Sequence, residues 1–548
     1  MAWQEELCII SGDNRSWEQN NISKTVIELW CRSKLGHSVL LLVNGLRPYL
    51  EIFDPNTNSD SIKPTLSLDK LDDIKELHGQ PERIGNKLFE GEMKPFWRLY
   101  IKDTRYVRNV RERLMKIGWG VTSADILFVQ RLLLDCDLGP HIKVKGDILW
   151  AGDRAPENTK NNYNTDTKIA ESKIKDVGGA GIYPLDMIVS CKYQDLERAK
   201  PFATPFVVFS FDLETSIATN EILCAAAVIE RNKERTEYRF RGNENSILEG
   251  LTTLIRHEDP DIITGYNIDN FDLPRMDERA KVLARKNKMT EILLNGWGRV
   301  PAIEGEYKRL LPSRKQNRVW RIPGRIPLDA WWQARQTLSP QRESLRYVSQ
   351  LLWPDNEEMH KLDIDSSQMD KEWADRPDEV MEYCVRDTII PIDILNQLQS
   401  IGRKEALASV AMTTVDIAAT ATTSWWIDSL VIRLADRSNI AIPMTKSGPR
   451  RRNQIAGGYV HEVEAGMRPW ITVLDFKSMY PSIMISNNIC STTLVRNDNE
   501  ISKSDNISPV TGTRYISNEI RKGLVPQLLN HLMTSRDTHK IAFNKAKI

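Results

Sequence analysis

Three short fragments hold the residues whose types and spacing could do chemistry. FDLET places Asp212 and Glu214 two residues apart at the end of an apolar run. Side chains alternate faces along a strand, so both carboxylates project from one face at its C-terminal end. Two carboxylates on one face repel each other unless a cation sits between them, and oxygen-only ligands suit Mg²⁺ or Mn²⁺. Taken alone, D-x-E also describes a solvated strand end. YNIDNFD adds Tyr266, Asn267 and Asp272 after a second buried run. YCVRD adds Tyr383 and Asp387, four apart and so on one helix face. Each fragment by itself is more often a surface carboxylate than a ligand. Three of them in this order, each at the end of a regular element, argue against coincidence. Together the four carboxylates can hold two metal ions, one activating a water and both stabilising the attacking and leaving oxygens of an in-line displacement at phosphorus. Tyr383 is placed to orient that water by its hydroxyl. The chemistry is hydrolysis of a phosphodiester.

The elements that must hold these groups are readable around them. FVVFSFDL, from residue 206, is a continuous apolar run of the kind that forms a strand buried on both faces. EILCAAAVIE and TEYRFRG read as further strands, SILEGLTTLIRHED as an amphipathic helix and DIITGYN as another buried strand, which predicts an α/β layer. Residues 1–135 alternate short apolar runs with polar turns and predict a strand-rich α+β domain, with a helix over 107–118. Residues 152–180 are polar and predict a loop or a partly disordered insertion. Residues 366–432 are mostly helical in pattern. A basic, turn-forming stretch follows (TKSGPRRRNQIAGGY), then a strand (ITVLD), then a long helical pattern to the end.

Composition sets the bounds. The chain has 548 residues, too many for one ordinary core, and its net charge is +1, so no chain-wide basic signature for nucleic acid exists. The seven cysteines are scattered and none forms CxxC, so no zinc cluster or disulfide framework is readable. No signal peptide and no membrane-length apolar run is found, and a reducing intracellular, cytoplasmic (nucleoid-associated) setting fits best.

FDLET, YNIDNFD and YCVRD resemble the three exonuclease motifs of family B DNA polymerases, whose proofreading domain has a ribonuclease H-like fold. The resemblance implies that Asp212, Glu214, Asp272 and Asp387 ligate two Mg²⁺ or Mn²⁺ ions, with Asn267 and Tyr383 in support. GRIPLDAWW…ESLRYVSQLLW, over 324–353, resembles the stretch between the second and third motifs. DFKSMYPSIM, at 475–484, resembles the first polymerase motif. By it, Asp475 would end a palm strand and ligate catalytic metals, and Tyr480 would lie under the incoming sugar. GLVPQLLNHLMTSRDTHK resembles the start of the fingers helix, where Arg536 and Lys540, four apart, would grip the triphosphate. A strand with an ordinary Pro-turn and two solvated cations are the plain readings of these two stretches. RRRNQIAGG resembles the linker before the palm, so that Arg450, Arg451, Arg452, Gly457 and Gly458 would track DNA. Ile455 stands there in place of the family's tyrosine, which puts the coupling of synthesis to editing in doubt. Near the start, GLRPYLEI, KPFWRLYI and SADILFVQRLLLD resemble the N-terminal domain of archaeal members, where Val107, Phe128 and Arg131 would match a pocket for deaminated template bases. The same residues also read as plain core.

No later stretch resembles the second fingers segment or the second palm carboxylate motif. The expectation is therefore the N-terminal portion of such a polymerase: α/β and α+β multidomain, with a mixed N-terminal domain over 1–140, an RNase H-like exonuclease over 141–400, linker helices and partial palm over 401–525, and a fingers helix over 526–548. Its partners would be primer–template DNA, deoxynucleoside triphosphates and a C-terminal polymerase chain with the remaining palm motif and thumb, and no membrane. A stand-alone 3′–5′ exonuclease and a non-catalytic DNA-binding scaffold are the alternatives.

Overall fold

The computed structural model describes residues 3–19, 22–57, 66–156, 159, 167–182, 185–287, 294, 296–299, 313–314, 320–356, 364–445, 461–462, 465–496, 504 and 506–546. They form two compact units. The first holds Met1–Pro48, Lys102–Arg105 and Leu127–Ser429; the second holds Tyr49–Ile101, Tyr106–Ile126 and Leu430–Ile548.

The described residues of the first unit contain two large sheets, besides a two-stranded one of Ser313–Arg314 and Trp320–Arg321. One runs Trp3–Gln19, Ile22–Ser33, Ser38–Asn44, Met187–Lys192, His141–Ala151 and Leu196–Arg198 in spatial order. Trp3–Gln19 also pairs with His141–Ala151, which bends the sheet round on itself. Inward-facing Leu7, Ile9, Leu29, Leu41, Val144 and Val189 fill its core. The other sheet has five strands in the order Glu234–Arg241, Ile222–Arg231, Val208–Thr215, Ile262–Thr264 and Ile326–Pro327. The first three pair antiparallel and the last two join in parallel, which is the RNase H-like arrangement expected from the sequence.

Small side chains let helices approach both faces of this second sheet. In Ile222–Arg231, Ala225 and Ala227 pack with Leu251 and Ile255 of the helix Glu244–Glu258. Cys224 and Ala226 point the other way, against Val380, Met381, Cys384 and Val385 of the helix Pro377–Gln397. Asn243 caps Glu244–Glu258 by accepting the Ser246 N–H at 2.9 Å. That helix ends at Asp259, whose left-handed backbone (φ 48°) turns the chain into Ile262–Thr264.

Asp259 and Asp261 stand at the entry to this strand, buried among three arginines. Arg32 holds Asp261 through two bonds of 2.8 Å. Arg299 reaches both carboxylates at 2.7 Å, and Arg325 reaches Asp259 at 2.9 Å. Gly324 packs against the Arg299 and Trp30 side chains with φ 78°, a conformation and a gap that leave no room for a Cβ. Within 152–180, where a loop was expected, Thr167–Asp176 is a helix. Its Ala170 and Ile174, four apart, are buried, and that one apolar stripe outweighs the polar composition.

In the second unit, strands Glu82–Phe89, Glu92–Tyr100, Tyr49–Phe53 and Gly120–Thr122 form a sheet packed on the helix Val107–Lys116 through Leu50, Ile52, Trp97, Leu99, Val110 and Leu114. The helices Met479–Ser486 and Leu524–Ala546 pack together. The strand expected over ITVLD is not formed. Residues 471–475 have no ladder partner among the described residues, and Ile471, Val473 and Leu474 are 70–89% exposed. An apolar run becomes a strand only when neighbouring backbone takes up its N–H and C=O groups.

No helix of the described residues is long and apolar enough to cross a membrane.

Candidate active site

Asp212 and Glu214 lie on Val208–Thr215, Asp272 is the first residue of the helix Asp272–Lys286, and Tyr383 and Asp387 lie four apart on Pro377–Gln397. These five, with Asn267, line one cavity of about 680 Å³. Glu214, Asp272, Tyr383 and Asp387 are buried and Asp212 is half-buried.

Burial, then the nearby Asp212 and Asp329 carboxylates, pushes the Asp272 carboxyl well above its ordinary range. Its Oδ1 is buried and accepts no hydrogen bond. A buried carboxylate oxygen with no donor, facing a second acid, is a mark of a group shaped for a cation. The residues present therefore fit a divalent metal.

Two residues that spacing did not single out complete the site. Cys384, inside YCVRD, brings its Sγ to the Asp212 and Glu214 carboxylates, the three ligand atoms all within 4.8 Å of one another. Its thiol donates to the Asp212 carbonyl at 3.5 Å, and burial first, with Cys224 next, pushes its pKa well up, so it stays protonated beside the acids. Asp329, the acid of IPLDAWW, accepts three backbone N–H groups: Asn267 at 2.8 Å, Asp269 at 3.2 Å and Trp331 at 2.9 Å. It caps the helix Ala330–Leu338 and ties down the turn in which Asn267 sits at φ 66°. That turn leads directly into Asp272. Burial raises the Asp329 carboxyl to about 6, against the pull of those N–H donors. The aromatic rings of Phe271 and Trp331, with Arg275, line the same cavity.

The polymerase-like residues all lie in the second unit. Asp475 and Tyr480 are exposed, as are Arg536 and Lys540 on Leu524–Ala546. Between the two stretches, Lys477 Nζ meets Asp537 Oδ2 at 2.8 Å. Arg450, Arg451, Arg452, Gly457 and Gly458 lie outside the described residues. Val107 is half-buried at the start of its helix in the second unit; Phe128 and Arg131 are buried in the first, with Arg131 3.5 Å from Asp135.

Comparison with known proteins bears on both ends of this chemistry. Residues 414–547 match the family described as DNA polymerase family B, and residues 227–348 match DNA polymerase family B, exonuclease domain. The second match contains Asn267 and Asp272 but begins after Glu214 and stops before Tyr383. The DNA polymerase delta catalytic subunit of Caenorhabditis elegans is 28% identical over 67% of this chain and 33% of its own length. Those of Plasmodium falciparum and Glycine max are 24% and 25% identical over 97% and 95% of this chain, and 52% and 51% of their own. The chain thus spans about half the length, or less, of the curated relatives it matches. The solved family B DNA polymerase of the archaeon Pyrobaculum calidifontis superposes with a TM-score of 0.68 at 19% identity, over 98% of this chain and 64% of that one. The chain is thus similar to DNA polymerase family B over residues 414–547 and to that family's exonuclease domain over residues 227–348.

Proposed function

We propose that this chain edits DNA by 3′–5′ exonucleolytic hydrolysis of the primer strand, as the proofreading part of a replicative polymerase. The observation that carries the proposal is the meeting of four carboxylates from three separate elements in one cavity, with a buried Asp272 oxygen that has no donor. Asp212, Glu214, Asp272 and Asp387 would hold two Mg²⁺ or Mn²⁺ ions. When bound, such ions activate a water and stabilise charge on the reacting phosphate oxygens. Tyr383 orients that water through its hydroxyl. Asn267 and Arg275 contact the backbone of the primer end. Phe271 and Trp331 offer faces on which a frayed base stacks, which needs no base readout.

Nucleotidyl transfer would use Asp475, with Tyr480 against the sugar and Arg536 and Lys540 on the triphosphate of the incoming nucleotide. It needs a second palm carboxylate, which this reading assigns to a C-terminal polymerase chain as partner. The test is a 5′-labelled primer on a longer template with Mg²⁺, with and without the four nucleotides, beside Asp212→Ala. Shortening that vanishes in the variant supports editing. Shortening that persists overturns the assignment of the carboxylates, and lengthening by this chain alone overturns the need for a second palm carboxylate.

A further inference from the structure

Away from the exonuclease cavity, the first unit holds a second group of metal-ligating side chains. Cys8 on Trp3–Gln19 stands directly across from His141, the first residue of His141–Ala151. Directly opposed residues of an antiparallel pair share a face, with Cβ atoms about 5 Å apart. Glu405, on the helix Ser400–Ala411, reaches down onto the same face. Cys8 Sγ, a His141 ring nitrogen and a Glu405 carboxylate oxygen all lie within 4.8 Å of one another. Cys8 and His141 are 0% and 2% exposed.

We propose that Cys8, His141 and Glu405 form a structural site for a borderline divalent transition metal of the zinc class. The donor set decides the metal: one thiolate, one imidazole and one carboxylate suit Zn²⁺ and not the all-oxygen preference of Mg²⁺. The surroundings fit a bound ion. The Nε2 of His141 and Oε1 of Glu405 are 3.1 Å apart, a hydrogen bond that a small ion bound by both groups would replace. The other ring nitrogen, Nδ1, has Ser409 Oγ at 3.5 Å, so the imidazole can carry its proton there and present a bare Nε2 to the metal. The Thr204 backbone N–H, at 3.2 Å, and the Thr204 hydroxyl both donate to Glu405 Oε1 and fix the carboxylate. Phe202 packs edge-on to the imidazole at 4.7 Å, and a water would complete the four-coordinate shell of a zinc-class ion. Among the described residues no lysine or arginine pairs with Glu405, so the negative charge of the loaded thiolate and carboxylate falls to the ion to balance. Loading releases the Cys8 thiol proton to solvent, making affinity rise with pH. The metal ties the Ser400–Ala411 helix to two adjoining strands whose residues are hundreds of positions away in sequence.

The test uses the full chain carrying Asp212→Ala, which silences the exonuclease ligands as a competing metal site. After loading with Zn²⁺ and passage over a chelating resin, elemental analysis should find one equivalent of zinc, and Cys8→Ala or Glu405→Gln should lose it. Loading with Co²⁺ instead should give a thiolate-to-metal charge-transfer band in the near ultraviolet, absent from Cys8→Ser. The cobalt spectrum of the Asp212→Ala chain with all three ligands intact stands even where a ligand variant misfolds. Loss of the band and of stoichiometric zinc in that chain overturns the site and leaves a His141–Glu405 hydrogen bond beside a space-filling thiol. Zinc retained by a folded Cys8→Ala chain overturns it equally.

Discussion

Asp259 and Asp261 face three guanidinium groups, whereas Asp212, Glu214, Asp272 and Asp387 face one another. Both sets are buried or half-buried acids of one unit, and both stand where the exonuclease sheet meets its helices. Burial raises the Asp259 and Asp261 carboxyls, but Arg299, Arg325 and Arg32 outweigh it and hold both below their ordinary range. Burial raises Asp272 too, and there the neighbouring Asp212 and Asp329 charges add to it. The pair of environments separates an acid that holds the fold together from one kept ready for something positive. A carboxylate satisfied by protein cations has its counter-charge built in; one surrounded by other acids awaits a cation from outside.

The largest effect should come from breaking the acidic cluster. Asp212→Ala or Asp272→Asn removes a ligand worth several kcal/mol of transition-state charge stabilisation, so primer shortening should fall by a factor on the order of 10³ or more. Circular dichroism and unfolding should be unchanged or slightly improved in the metal-free protein, since Asp272→Asn removes a charge that its neighbours repel. An Asp272→Asn chain that hydrolyses at wild-type rate, measured on labelled primer, would dissolve the distinction between the clusters.

The arginine-held cluster should answer in the opposite currency. Arg299→Ala strands Asp259 and Asp261 with weaker partners, and breaking a buried pair costs about 3–5 kcal/mol. Thermal unfolding should drop by several degrees, while hydrolysis per folded molecule stays near wild type because Arg299 does not line the cavity. A variant equally stable but inactive would mean that the two clusters are one functional unit.

Divalent metal should sharpen the contrast. Wild-type chain should gain about 2.7 kcal/mol at a hundredfold excess of Mg²⁺ or Mn²⁺ over its dissociation constant, reversed by chelator. Arg299→Ala should keep that gain from its lower baseline. Asp212→Ala should lose it, and differential scanning fluorimetry reads all three.

What the sequence shows and hides follows the same division. FDLET, YNIDNFD and YCVRD were legible because each carries its carboxylates on one short stretch, whose local pattern fixes both element and face, although Asp387 lies mid-helix in Pro377–Gln397 and not at an element's end. The RNase H-like sheet was legible for the same reason, through the unbroken apolar runs at 206 and 261. The clamp by Asp329 was not, since its bonds to Asn267 and Asp269 cross some sixty residues. Arg32 meets Asp261 across 229 residues, and His141 meets Glu405 across 264, distances at which spacing carries no signal. The cysteines looked scattered because only adjacent pairs announce a metal in sequence. ITVLD failed the other way: its apolar pattern states what the segment would do in a sheet, and a partner strand decides whether it does.

The finest discriminator is the pH dependence of metal-free stability. Asp259 and Asp261 have folded pKa values below the unfolded value of 3.8, so their contribution is complete above that value and is lost as pH falls through the folded ones. Asp272 and Asp329 are raised, so their neutral forms favour the fold below the unfolded value, and that contribution drains away as pH rises; for Asp329 the loss runs from 3.8 to about 6. Stability of the metal-free chain should therefore fall toward strong acid on account of one cluster and decline again from pH 4 to 6 on account of the other. Asp329→Asn keeps an acceptor for the Asn267 and Trp331 N–H groups but cannot ionise. It should flatten the upper decline by about 3 kcal/mol and leave the acid limb where it is, in urea titrations taken at half-unit pH steps. An acid limb that moves with Asp329→Asn would show that the two groups of carboxylates share one electrostatic field, and the separation drawn between them would have to be given up.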